Sequence, residues 1–167
     1  MLDYALCEYN RKVATFNGFV MGTKTWEGFK SLPANIQTAL KRLPTFFDNT
    51  DVQLVYLFGS LAEKGQGRDV DLAILTNKTP PYTFRAELTA VLGTERLDIV
   101  DLRRASPAFC FDIIRAGQLL YAADQEVQLQ FELGVVRRYH DTAYLRQRQE
   151  ESLRRRMAAW SSNTTAS

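Results

Sequence analysis

Residues 55–75 have the sequence VYLFGSLAEKGQGRDVDLAIL. An apolar strand ends in Gly59-Ser60, a polar loop follows, and a second apolar strand opens with Asp69 and Asp71. Residues two positions apart on a strand point to the same face, so these two carboxylates lie side by side. Their mutual repulsion amounts to about 1 to 4 kcal/mol at a protein surface, which a divalent cation between them would offset. The pair therefore predicts a metal site.

The Gly59-Ser60 turn predicts a phosphate site beside the two carboxylates. Glycine tolerates the strained backbone of a tight strand exit and lets a phosphate approach closely. A helical turn that begins at Ser60 would offer free N–H groups and a hydroxyl to a nucleotide. Each piece alone is ordinary, because Gly-Ser and Asp-x-Asp both occur in solvated turns. Their order, with only positions 61–68 between them, is far more specific.

In this order the chain resembles the minimal nucleotidyltransferases of the polymerase beta-like superfamily. Their motif is an apolar residue, Gly-Ser, a variable loop, and two aspartates that alternate with apolar residues. The matching positions are Phe58, Gly59, Ser60, Asp69, Val70, Asp71 and Leu72. The resemblance implies an α/β (α+β) nucleotidyltransferase fold, with a small mixed sheet, flanking helices and a long C-terminal helix. One departure is the short loop, which ends in Arg68 where the family usually has serine.

The family also has a third carboxylate on a neighbouring strand, for which residues 96–102, RLDIVDL, offer two candidates. Leu97 and Ile99 share one strand face, so Asp98 points to the opposite face and Asp101 lies on theirs. The family's third aspartate also lies inside a short apolar strand in this register. We therefore predict Asp98 as the third metal ligand and Asp101 as a solvated strand end.

Composition indicates one cytoplasmic domain. The chain has 167 residues, 46% of them hydrophobic, and a net charge of +2. No apolar run approaches the ~20 residues of a membrane span, and the polar N-terminus lacks the order of a signal peptide. Cys7 and Cys110 lie far apart without a C-x-x-C neighbour, which argues against a disulfide framework or a zinc site. A single histidine, His140, excludes a histidine-rich metal cluster.

Three segments are predicted: an N-terminal arm over 1–30, a nucleotidyltransferase domain with its C-terminal helix over 31–160, and a disordered tail over 161–167. Inside the domain, helix signals precede and alternate with strand patterns. The predicted elements are a helix from Ser31 to Pro44, strands 52–58 and 70–75, a helix closed by Gly93, strand 96–101, a helix from Ser106-Pro107 to Gly117, strand 119–122, and a long helix capped by Asp124.

The last predicted helix is basic. Residues 137–156 contain seven arginines and one histidine against Asp141, Glu150 and Glu151. A solvated helical face is the simpler interpretation, and a docking surface for an acidic partner or for nucleic acid is the alternative. The chain has no zinc finger or RNA-binding aromatic pair, which argues against direct nucleic-acid binding.

Small free-standing members of the family resemble the antitoxin partners of HEPN-type toxins. The resemblance implies transfer of AMP from ATP to a tyrosine of the toxin ribonuclease, which silences it. It further implies that Asp69, Asp71 and Asp98 bind Mg²⁺, with Asp98 able to accept the hydroxyl proton. Gly59 and Ser60 would hold the phosphates, assisted by Arg68.

Two alternatives stay open. A small-molecule nucleotidyltransferase of the aminoglycoside-modifying kind would use the same catalytic face, with further acidic groups to hold a polycationic substrate. Glu87 and Glu95 are the nearest such groups in sequence. The other alternative is a catalytically weak protein that binds nucleotide and neutralises its partner stoichiometrically.

Overall fold

The computed structural model describes residues 32–164, with side chains as far as residue 157. The N-terminal arm predicted for residues 1–30 lies outside the described residues. This part of the chain forms seven helices and four strands. In chain order they are α1 Ile36–Leu40, α2 Leu43–Phe47, β1 Val52–Phe58, α3 Ser60–Lys64, β2 Val70–Thr76, α4 Phe84–Leu92, β3 Leu97–Asp101, α5 Pro107–Ala116, β4 Gln118–Ala122, α6 Gln125–Asp141 and α7 Ala143–Thr164.

The four strands form one mixed sheet in the order β3-β2-β1-β4. Strands β2 and β3 are parallel, and β1 is antiparallel to both β2 and β4. The sheet has helices on both faces, so the predicted fold class, a small mixed sheet with flanking helices, is confirmed. The register aligns Phe58, Asp71 and Asp98 in one row across three strands.

Helices α1, α2 and α4 cover one face of the sheet. Their side chains pack on the β2 residues Leu72 and Ile74, both fully buried. The prediction of a single helix from Ser31 to Pro44 is wrong, because two short helices stand there. Pro44 lies in the first turn of α2, where its missing N–H leaves no helical hydrogen bond unmade.

Helices α5 and α6 cover the other face. The rings of Phe58 and Phe109 meet edge to face, with 5.6 Å between their centroids, and Val135 of α6 is fully buried against this layer. Helix α5 begins as predicted, because the Ser106 hydroxyl accepts a hydrogen bond from the Phe109 N–H at 3.2 Å. Burial of this layer fixes the face of the sheet on which Asp71 and Asp98 lie.

The predicted single long C-terminal helix is two helices, α6 and α7, separated at Thr142. The Asp124 cap of α6 is confirmed by its carboxylate, which accepts from the Glu126 N–H at 2.7 Å. At the break, the Thr142 hydroxyl donates to the carbonyl oxygens of Arg138 at 2.8 Å and Tyr139 at 3.2 Å, and the Arg138 carbonyl also accepts the Thr142 backbone N–H.

Helix α7 runs to Thr164, so the boundary predicted at residue 161 falls inside it. The preceding run of arginine, glutamate, leucine and alanine has high helix propensity, which favours helix past that point. Over residues 32–164, we find no helix that combines the length and the apolar character needed to span a bilayer.

Candidate active site

Three carboxylates converge at one end of the sheet. Asp71 of β2 and Asp98 of β3 are direct partners in the parallel ladder, and Asp69 immediately precedes β2. Each offers one oxygen, and these oxygens lie within 4.8 Å of one another. Asp71 is fully buried, while Asp69 and Asp98 are partly exposed. Strand alternation placed Asp98 on the face of Asp71, and the structure brings these side chains together.

Such a cluster favours a hard cation. Like charges at this separation repel each other, more strongly where burial lowers the local dielectric. The donors are all carboxylate oxygens, with no thiolate or imidazole among the three, which suits Mg²⁺ or Mn²⁺ better than zinc. Two ligands that keep partial exposure leave room for a substrate oxygen. The donor set therefore fits the magnesium that the sequence pattern implies.

The Gly59-Ser60 turn continues directly from the row of aspartates. Phe58, the last residue of β1, pairs with Asp71, so the turn begins beside the buried carboxylate. Gly59 has φ 73° and ψ −160°, a conformation that residues with a Cβ rarely adopt. Helix α3 begins at Ser60, as the sequence predicts.

The loop that joins α3 to β2 folds back on this turn. A Cβ added at Gly67 would lie 2.9 Å from the Ser60 Oγ and 3.1 Å from the Leu61 backbone N. Gly65 ends α3 with φ 67° and has nothing within 4 Å of such a Cβ. Gly67 therefore permits a close approach of the loop to Ser60.

Gly67 is the site residue that sequence reasoning missed. The sequence signal for its role was a second glycine, two positions before Asp69, in a short loop that must lead from α3 back to the sheet. Arg68, predicted to assist the phosphates, is exposed at the end of this loop beside Asp69.

The prediction that Asp101 is a solvated strand end is wrong. Asp101 is 3% exposed. Its carboxylate accepts the Arg103 backbone N–H at 2.9 Å, and the Arg103 guanidinium donates to it at 2.8 and 3.0 Å. These hydrogen bonds raise the pKa of Arg103 above its ordinary value. The chain turns directly after β3, which brings the backbone and side chain of Arg103 onto the carboxylate. Asp101 thus stabilises a turn.

Known proteins resemble this chain over about half of its length or more. A family model described as Polymerase beta, Nucleotidyltransferase matches residues 41–126, just over half of the chain. A relative from Shewanella oneidensis named "Protein adenylyltransferase MntA" is 36% identical over 83 residues. The matched segment covers 47% of this chain and 60% of that relative.

Solved structures are similar over a larger share of the chain. One holds the tri-AMPylated Shewanella oneidensis HEPN toxin in complex with MNT antitoxin, with 26% identity and a TM-score of 0.55 over 71% of this chain and 98% of that chain. Another is a toxin-antitoxin crystal structure with AMP-PNP, with 30% identity and a TM-score of 0.53 over 71% of this chain and 96% of that chain.

Proposed function

The chain belongs to the polymerase beta nucleotidyltransferase family, and on that basis we propose that it transfers AMP from ATP to a tyrosine of a HEPN-type toxin ribonuclease and thereby neutralises it. The observation that carries the proposal is the convergence of Asp69, Asp71 and Asp98 beside the Gly59-Ser60 turn. The similar protein adenylyltransferase and the similar complex with an AMPylated HEPN toxin support it. We propose the cytoplasm as its location, where ATP is available and thiols such as Cys110 stay reduced.

Asp69, Asp71 and Asp98 would hold Mg²⁺, which supplies charge stabilisation at the attacking and leaving oxygens when it is bound. Mg²⁺ dependence is thus part of the proposal. Burial of Asp71 restricts the movement of its carboxylate, whereas Asp69 and Asp98 keep partial exposure to solvent.

The remaining residues position the nucleotide and the acceptor. The N–H and hydroxyl groups of Ser60 would hold the phosphates, and Gly59 would let them approach the backbone. Gly67 lets its loop lie against Ser60, and Arg68, exposed beside Asp69, would add a positive charge for the triphosphate.

In the reaction, the tyrosine oxygen attacks the α-phosphorus in line. An oxygen–phosphorus bond forms to the acceptor, the bond to the β-phosphate oxygen breaks, and pyrophosphate leaves. Asp98, partly exposed at the start of β3, would accept the proton of the attacking hydroxyl.

Intact-mass spectrometry of a HEPN-type toxin incubated with this protein, ATP and Mg²⁺ tests the proposal. We expect one or more additions of about 329 Da, the mass of an AMP adduct, on a toxin tyrosine. Asp71→Asn should abolish the addition. Asp51→Asn is the control, because Asp51 is an exposed carboxylate that pairs with Lys78 at 3.2 Å outside the carboxylate cluster. An unmodified toxin at saturating ATP would contradict the proposal.

The same samples distinguish the alternatives. A toxin that stays inactive when mixed with Asp71→Asn protein, without any mass addition in the wild type, indicates stoichiometric neutralisation. An adenylylated aminoglycoside beside an unmodified toxin indicates the small-molecule enzyme. The structure gives that enzyme little support, because Glu87 lies on α4, in the layer on the opposite face of the sheet from Asp71 and Asp98.

A further inference from the structure

Helix α7 has no buried side chain between residues 143 and 157. Its large apolar residues are open to solvent: Tyr144 is 65% exposed, Leu145 58% and Met157 60%. A helix in a globular protein is normally held by one apolar face packed on a core. Helix α7 therefore presents a face that the described part of the chain does not cover.

The base of α7 is nevertheless fixed in direction. The Arg146 guanidinium lies 3.7 Å from the centroid of the Tyr139 ring, and that ring stacks on Phe111 of α5 at 3.9 Å with 11° between the planes. Arg146 Nη1 also donates to the Tyr139 carbonyl and to the Thr142 hydroxyl, both at 2.6 Å. This clamp, formed by Phe111, Tyr139 and Arg146, joins three helices across the break at Thr142.

Contacts within α7 add little to its stability. Glu150 pairs with Arg154 at 2.6 Å and Glu151 pairs with Arg155 at 3.8 Å. Exposed pairs of this spacing contribute only about 0.3–0.5 kcal/mol each. A clamp that orients a helix left uncovered by the described residues indicates that the direction of α7 matters for a contact beyond those residues.

The charge of α7 indicates what it contacts. Residues 143–157 contain five arginines and two glutamates. Both glutamates have arginine partners, and Arg146 belongs to the clamp. Arg148 and Arg156 stay exposed, and Arg148 lies 5.7 Å from the centroid of the Tyr144 ring. At about 100° per residue, Tyr144, Leu145, Arg148 and Arg156 share one side of α7, which combines positive charge with aromatic and aliphatic side chains, whereas Met157 lies on another side.

We propose that α7 is a docking arm for an acidic surface of the acceptor protein, with its direction set by the clamp. The proposal rests on the proposed function in taking the acceptor to be a protein. Arginine mixed with exposed tyrosine and leucine is typical of protein interfaces, whereas a surface for nucleic acid is dominated by contacts to phosphate. The exposed Tyr144 and Leu145 side chains would gain little against a phosphate backbone, so an acidic protein surface fits better.

Charge reversal on the full-length chain tests the arm. Arg148→Glu with Arg156→Glu should weaken binding of the HEPN-type toxin from the same genome by about tenfold or more at low salt, and less at high salt. The KM for toxin should rise, while kcat at saturating toxin and the KM for ATP stay within about twofold. Lys41→Glu with Arg42→Glu is the matched control, since both residues are exposed beside α1 and α2 and the change in charge is equal.

Arg146→Lys tests the clamp separately. Lysine keeps the charge but loses the planar stack and the paired donors. We expect the KM for toxin to rise by about threefold to tenfold with unchanged kcat, and helix content by circular dichroism to stay near the wild-type value. Toxin affinity equal to the wild type would overturn the positioning role.

The outcomes separate the arm from the reaction. Loss of toxin binding in the arm variants but not in the control supports the arm. Equal binding by all variants overturns it, even if transfer occurs. Toxin that binds through the arm but gains no AMP in the wild type overturns the proposed function alone, and a wild type that binds no toxin overturns both. Arm variants that keep toxin binding but lose binding of a short single-stranded RNA would contradict the assignment of a protein as the partner of α7.

Discussion

Strand β3 carries two aspartates three positions apart, one beside two other carboxylates and one beside an arginine. Asp98, at the start of the strand, lies with Asp69 and Asp71 in a cluster of carboxylates. Asp101, at its end, lies against the Arg103 guanidinium and N–H. Both ends belong to the same short strand. Neighbouring negative charges repel each other, whereas the Arg103 cation and N–H donors offset the burial of the Asp101 carboxylate.

The contrast between the two ends of β3 indicates which end serves function and which serves stability. At the end of β3, the chain turns so that Arg103 neutralises a buried carboxylate. At its start, three like charges are kept together, one of them fully buried. Departures from good local electrostatics are expected mainly at functional sites. The cluster end of the sheet is therefore the place to test catalysis, and the Asp101 end is the place to test stability.

The largest effect should come from Asp71→Asn, which removes a carboxylate from the cluster but keeps its shape. We expect AMP transfer to fall by about 1,000-fold or more, because a metal ligand is lost. Without Mg²⁺, the thermal midpoint should be unchanged or higher, because repulsion is relieved. Asp69→Asn should act in the same direction. Near wild-type transfer in either variant, measured with ATP and toxin, would contradict the assigned metal site.

Alkaline pH should lower the folding stability through Cys110, which lies against the turn that follows β3. The Cys110 Sγ lies 3.7 Å from the Leu102 carbonyl and 3.9 Å from the Ala105 carbonyl, in the turn that follows Asp101. Burial raises the pKa of this thiol from 9.0 to about 11. Folding therefore favours the neutral thiol, so stability is fully present below pH 9 and falls as pH rises towards 11.

The loss should reach about 2 to 3 kcal/mol, with a slope of at most about 1.4 kcal/mol per pH unit. Denaturant unfolding at pH 8 to 10 measures about half of this loss, roughly 1.3 kcal/mol, because the folded-state thiol titrates only near pH 11. Cys110→Ala should lower stability at all pH values but flatten the slope from pH 9 to 10. Above that range the buried Tyr56, whose pKa is also raised and whose hydroxyl donates to Glu132 at 2.7 Å, adds a slope of its own. An equal slope with and without the thiol would refute the assignment.

A smaller effect on catalysis should distinguish the two glycines of the loop before Asp69, Gly65 and Gly67. Gly67→Ala would place a Cβ 2.9 Å from the Ser60 Oγ, so the loop must move away from the phosphate turn. We expect kcat/KM for ATP to fall by about tenfold. Gly65→Ala is the control, because its cost is a strained positive φ of about 1 kcal/mol in stability, with ATP kinetics near the wild type. The same kinetic loss in both variants would mean that loop rigidity, not contact with Ser60, matters.

Side-chain alternation along a strand was enough to predict the carboxylate cluster, because the geometry of the cluster follows from strand register. Alternation along β3 separates Asp98 from Asp101 without knowledge of the rest of the fold, and a parallel neighbour brings Asp98 beside Asp71. The surroundings of Asp101 depend on the turn after the strand. An aspartate followed two positions later by arginine can close such a turn on its own backbone, and this was the available signal.

The C-terminal helices show a second limit. The Asp124 cap depends on a neighbouring N–H and was predictable, whereas the break at Thr142 involves the Arg146 side chain and the stack of Tyr139 on Phe111. These groups meet only after α5 and α6 have packed. Contacts between elements distant in sequence cannot be deduced from helix periodicity.

The most direct test compares Asp98→Asn with Asp101→Asn in one preparation, by AMP transfer to toxin and by denaturant unfolding. We expect Asp98→Asn to lower transfer by about 100-fold or more with little loss of stability. Asp101→Asn should leave transfer within about threefold but cost roughly 1–3 kcal/mol, since it leaves Arg103 without its buried partner. Equal losses of transfer, or a greater loss at Asp101, would contradict the assignment of catalysis to the cluster end of β3.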